Sequence, residues 1–112
     1  MLGCQSIRTY RQRAMRQVEV IKTLMSQEAA IRQFGVDALY LYGSHARDEA
    51  RPDSDVDLFF DKIPDRPLGF LEFTGLKLML EDVFGRPVDV GTRTGLHPVL
   101  RTEIEASAVR VF

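Results

Sequence analysis

The stretch ALYLYGSHARDEARPDSDVDLFF, residues 38–60, decides how this chain is read. Leu39 and Leu41 alternate with Tyr40 and Tyr42, the two-residue period of a strand. Gly43 ends that strand, and its missing Cβ lets a ligand approach the backbone closely. Ser44 then opens a turn of helix, so its hydroxyl and the exposed N–H groups of the turn make an anion site. Arg47 lies three residues on, within reach of the same anion. After the loop signal Arg51-Pro52-Asp53-Ser54, residues 55–60 read as a second strand. Asp55 and Asp57 then project from one of its faces, while Val56 and Leu58 enter the core.

Two carboxylates held this close repel each other unless a cation sits between them. An oxygen-only pair suits Mg²⁺, which binds one or two carboxylates together with substrate phosphates. Asp89 repeats the pattern between Val88 and Val90, on a short third strand at Pro87–Val90. If that strand lies near the second, Asp89 joins the other two acids on one face. Three acids beside a phosphate cradle describe a two-metal phosphoryl-transfer site.

Outward from this stretch, Val18, Ile21, Leu24, Met25 and Ile31 fall at helical spacing, with Ser26 placed to cap a fresh turn and Gly35 as the stop. Phe70, Phe73, Leu76, Leu80, Val83 and Phe84 form an amphipathic helix ended by Gly85, and the whole stripe is expected in the core. Thr92 to Leu96 read as a loop, Pro98 as the first residue of a last helix reaching about Glu105, and residues 108–112 as a closing strand. The fold expected is a small α/β one: a mixed sheet of about four strands packed with helices. Tyr40 and Tyr42 are expected to pack on one side of the first strand, and Asp61 to end its strand or pair with Lys62. His45 is expected at the surface, and His97 as a helix cap or packing residue. An ordinary surface ion pair is the alternative role for Arg47.

At 112 residues the chain has the length of one domain, and 45% hydrophobic with 28% charged residues is globular composition. The net charge of −1 argues against a protein that coats nucleic acid, so no direct nucleic-acid binding is expected. Residues 1–16 carry Arg8, Arg11, Arg13 and Arg16 and no acid; they read as a basic lead-in to a domain spanning residues 17–112. The single cysteine, Cys4, excludes an internal disulfide and C-x-x-C zinc sites. No apolar run approaches the length of a membrane span, and a cytoplasmic location is expected.

Gly43-Ser44-x-x-Arg47 followed by Ser54-Asp55-x-Asp57-Leu58 resembles the minimal nucleotidyltransferases (MNT) of the DNA polymerase β-like superfamily, over roughly residues 17–112. The resemblance implies ATP as substrate and Mg²⁺, with two ions, as cofactor. It implies that Gly43 and Ser44 hold the triphosphate with help from Arg47, and that Asp55 and Asp57 are metal ligands. Asp89 would be the third carboxylate, binding one metal and accepting the nucleophile's proton. Many relatives have Gly after the Arg, where this chain has Asp48; an added charge there would bear on nucleotide binding. Larger relatives add an acceptor-binding domain, whereas here the core fills the chain, so a second protein is expected to hold the acceptor. The family offers a HEPN ribonuclease toxin, which the MNT antitoxin neutralises by transferring AMP to a tyrosine. Two alternatives stand beside this: an antitoxin acting by occlusion with an idle nucleotide site, and an enzyme acting on a small-molecule acceptor.

Overall fold

The structure, a computed structural model, describes residues 14–112; the basic segment up to Arg13, with Cys4, lies outside the described residues. Helix α1 (Gln17–Ser26) and the short α2 (Glu28–Gln33) lead into strand β1 (Val36–Tyr42). A single helical turn, α3 (Gly43–Ala46), follows, then β2 (Val56–Lys62), α4 (Phe70–Phe84) and β3 (Val88–Thr92). A 3₁₀ turn (Arg93–Gly95), α5 (Arg101–Ser107) and the two-residue β4 (Val109–Arg110) complete the chain. The sheet order is β3-β2-β1-β4, with β2 and β3 parallel and the other pairs antiparallel. The parallel pair needs a crossover, and α4 supplies it. This is the mixed four-stranded α/β architecture expected.

Side-chain parity divides the sheet into two faces. Leu39, Leu41, Val56, Leu58, Phe60, Val88 and Val90 bury against Val20, Leu24, Ile31, Leu76, Leu80 and Phe84 from the helices, forming one core. On the opposite face Tyr40 stacks on Phe59 with ring centroids 4.8 Å apart, and Tyr42 tilts against the same ring at 5.8 Å. Arg93 lies over both Tyr40 and Phe59, at 4.7 and 5.0 Å from the ring centres. Its guanidinium also donates twice to Asp61 (2.8 and 3.0 Å) and once to Glu105 (2.6 Å). Arg93 thereby ties α5 to β2 across the aromatic face. The partner of Asp61 is thus Arg93, not Lys62, and β2 runs one residue past it.

Four local expectations are corrected. The first helix does break, but at Gln27; the Ser26 hydroxyl donates backward to the Thr23 carbonyl (2.6 Å) and caps nothing. Phe70 is 81% exposed because it is the first residue of α4, before the helix turns its apolar stripe inward at Phe73. Pro98 does not open α5. The Val99 and Leu100 amides are drawn back to His97, to Nδ1 at 3.2 Å and to O at 3.0 Å, and the helix starts at Arg101. Met15 is only 3% exposed and belongs to the core, while the Arg16 amide donates to Glu19 (2.9 Å) at the start of α1. Packed chain therefore begins before residue 17. Among the described residues no helix is long and apolar enough to cross a membrane.

Replacing Arg93 removes the one cation shared by Asp61 and Glu105 and uncovers two aromatic rings. Arg93→Ala is expected to lower stability by about 2 kcal/mol and Tm by on the order of ten degrees. Thermal unfolding of the variant checks this; an unchanged Tm would show the clamp to be ornamental.

Candidate active site

The site forms where β1 stops beside the middle of the sheet. Tyr42 pairs with Asp57, and Asp57 with Asp89, so one row across three strands presents a phenol and two carboxylates on the same face. Gly43 follows at φ +76°, a conformation side chains rarely adopt. The Asp57 carboxylate occupies the space a side chain at residue 43 would need: an added Cβ would overlap its Oδ2, with Cγ at 3.2 Å and Cβ at 3.3 Å. The open position read from the sequence is real, but the group that approaches the glycine is this chain's own aspartate.

Charge is crowded here. Burial first, then Asp89 and Asp55, push the Asp57 carboxyl up to about 6, with Arg47 pulling the other way. Burial also raises the Tyr42 phenol to about 12, helped by Asp89 and Asp57, so it remains a donor at neutral pH. Asp55 and Asp89 are exposed, and Asp55 lies one residue before β2 begins. Among the described residues no three His, Cys, Asp or Glu side chains converge into a metal cage. What is brought together is the pair Asp57 and Asp89, with Asp55 two residues along the chain.

The α3 turn closes tightly, with Arg47 N–H donating to Gly43 O (3.2 Å) and Glu49 N–H to Ser44 O (2.8 Å). Arg47 is exposed and pairs with Glu49 at 2.7 Å, yet it also lines a cleft of about 210 Å³. Tyr42, Gly43, Leu100, Glu103, Ile104 and Ser107 line the same cleft. The ion pair expected as the alternative role of Arg47 is thus present, on a side chain that also borders the cleft. A larger hollow of about 370 Å³, at Gln33, Phe34, Leu71 and Glu72, contains none of the acids or turn residues of the row.

Two residues of this segment have partners that the sequence did not reveal. Asp48 adopts φ 57°, a left-handed angle that Asp tolerates. Its carboxylate accepts from the Gln17 amide (2.9 Å) at the first turn of α1, while Gln17 Nε2 donates to Ala46 O (2.5 Å). The extra charge therefore caps a helix. His45, expected at the surface, is fully buried, with Nδ1 3.0 Å from the Asp55 carbonyl. Sequence reasoning also missed the α5 wall of the cleft; its sequence signal is the pair Leu100, just before the helix, and Ile104 on it, four residues apart.

The nucleotidyltransferase domain family matches residues 24–111. A protein adenylyltransferase of Thermococcus cleftensis, MntA, is 36% identical over 84 residues, covering 73% of this chain and 80% of that protein. A solved chain assigned as a minimal nucleotidyltransferase is 35% identical, with a TM-score of 0.63 over 80% of this chain and 93% of that one. The solved complex of a tri-AMPylated Shewanella oneidensis HEPN toxin with MNT antitoxin holds a chain of the same fold, 15% identical. Its TM-score is 0.59, covering 82% of this chain and 71% of that one.

A carboxyl raised from its ordinary 3.8 to about 6 binds a proton in the folded chain that the unfolded chain has already released. Metal-free protein should therefore lose stability as pH rises from about 4 to 6, and the Asp57→Asn variant should lack that loss. Thermal unfolding of both across this range tests it; parallel curves would contradict it. Gly43→Ala should lower Tm through backbone strain and overlap with Asp57, and by less in an Asp57→Ala background, where the overlapping oxygen is gone. Equal losses in the two backgrounds would show that the contact carries no energy.

Proposed function

Because this chain belongs to the nucleotidyltransferase domain family, we propose that it transfers the AMP unit of ATP to a hydroxyl of a partner protein, as the antitoxin of a HEPN ribonuclease toxin. The observation that carries this reading is the row Asp57–Asp89 set directly against the Gly43–Ala46 turn. The relative from Thermococcus cleftensis, named a protein adenylyltransferase, supports the protein acceptor. The complex of MNT antitoxin with an AMPylated HEPN toxin supports the partner. In this reading the acceptor is a tyrosine, and the chain works in the cytoplasm, where ATP is abundant.

Each residue then has a task. The first N–H groups of a helical turn have no partner inside it, so Ser44 and the amides around it suit the triphosphate, with Arg47 adding positive charge from the cleft wall. Asp55, Asp57 and Asp89 are hard oxygen ligands; burial and, after it, repulsion from the other two acids raise the Asp57 carboxyl, and a divalent cation would relieve that repulsion. These three would hold Mg²⁺, which when bound neutralises phosphate charge and aligns the triphosphate. Asp89, the exposed member of the pair, takes the proton of the acceptor hydroxyl. The acceptor oxygen bonds to the α-phosphorus as the bond to pyrophosphate breaks. The added AMP brings bulk and negative charge to the toxin's surface, which disables it.

The test is transfer of α-labelled ATP to the toxin partner. The wild type should label it, and Asp57→Asn and Asp89→Asn should each lose at least about 100-fold in rate, since an amide neither holds Mg²⁺ nor accepts a proton. Toxin that is silenced with no label attached would establish occlusion instead, and labelling of a small alcohol alone would establish a free-standing enzyme.

A further inference from the structure

We infer that His45 is a positioning residue for nucleotidyl transfer, its buried ring fixing the backbone at Asp55 against the Gly43–Ala46 turn. The inference rests on the functional reading above and deepens it.

Asp55 lies just outside both strand ladders: the last β1 pair is Tyr42 with Asp57, and the first β3 pair is Val56 with Val88. The Val56 amide, in the same peptide group as the Asp55 carbonyl, donates to Pro87 O (3.2 Å) and so ties that group to the β3 side, while no ladder bond ties it to β1 and the turn. Covalently, it is tied to the turn only through residues 47–54, where Arg47, Asp48, Glu49 and Asp53 are exposed. The bond from His45 Nδ1 to the Asp55 carbonyl bridges that loop directly at 3.0 Å.

The chemistry of the ring says why a histidine stands here. A carbonyl only accepts, so Nδ1 carries the proton and Nε2 is left as a bare lone pair. Nε2 is buried with no partner among the described residues. Packing alone would favour Leu or Phe at a fully buried position, since neither buries an unsatisfied nitrogen. What histidine adds is the donor to Asp55. Losing it leaves that peptide group held on the β3 side through the Val56 amide but no longer tied to the turn, and displacements near 1 Å at a reacting centre cost on the order of 100-fold in rate.

The experiment uses the full chain and its toxin partner, with His45→Leu removing the donor and His45→Asn retaining it, because Asn Nδ2 stands as many bonds from Cα as Nδ1. His45→Leu should keep a folded Tm, lose about 10- to 100-fold in kcat with little change in the KM for ATP, and bind Mn²⁺ more weakly in a titration read by electron paramagnetic resonance. His45→Asn should recover most of the kcat and the Mn²⁺ affinity. Wild-type kcat and Mn²⁺ affinity in His45→Leu would overturn the role, as would an equal defect in His45→Asn at matched stability. Should His45→Leu fail to fold, ¹⁵N resonances of the wild-type ring decide: a proton on Nδ1 supports the bond and a proton on Nε2 overturns it. A wild-type chain that neither transfers AMP nor binds Mn²⁺ overturns the functional reading itself; an active wild type matched by His45→Leu overturns only the positioning role.

Discussion

The contact on which the site depends is between a carboxylate and the bare α-carbon of a glycine. Asp57 rests where any side chain at residue 43 would stand. That proximity fixes the end of β1 against β2, and the positive φ of Gly43 turns the chain at once into α3. The cradle and the acids are thus held together by the backbone and by register. The result is an electrostatic conflict built into the fold: Asp57 is partly withdrawn from water and faces two more acids. Clustered like charges of this kind are kept for function at the expense of stability.

Around this centre the chain has two fasteners that reach across the sequence. Asp48 closes the first turn of α1 from 31 residues away, joining the loop after α3 to the N-terminal helix. Arg93 does the same on the opposite face, collecting Asp61, Glu105 and two aromatic rings. Each uses a charge that a sequence reading would leave in solvent. Together they hold the turn and the α5 wall, the two sides of the cleft that Gly43 and Arg47 line.

Much of this was legible beforehand, because periodicity reports which residues share a face. The alternation in β1, β2 and β3 placed Asp57 and Asp89 on one side, and the structure adds only that they are direct neighbours. The stripe of α4 was equally clear from Phe73 to Phe84, and failed at Phe70 because a helix's first turn has not yet met the sheet. What pattern alone cannot carry is the identity of long-range partners. His45 sits among residues that look like a surface turn, and only tertiary packing buries it under Asp55. Likewise Pro98 has the chemistry of a helix start, but His97 captures the next two amides and delays it.

The sheet order also sets a sequence of events in time. Tyr42 and Asp57 are joined by a short excursion, whereas Val56 and Val88 must meet across all of α4. Loop-closure entropy favours the nearer pairing. On a ribosome, β1, α3 and β2 emerge together, and Asp89 follows a whole helix later. A nascent chain halted before β3 carries the turn with Asp55 and Asp57 but without Asp89, and so lacks the third carboxylate and the neighbour that Asp57 pairs with. Biosynthesis thereby leaves the row of acids unfinished until β3 is made, an order set by nothing beyond the succession of the strands.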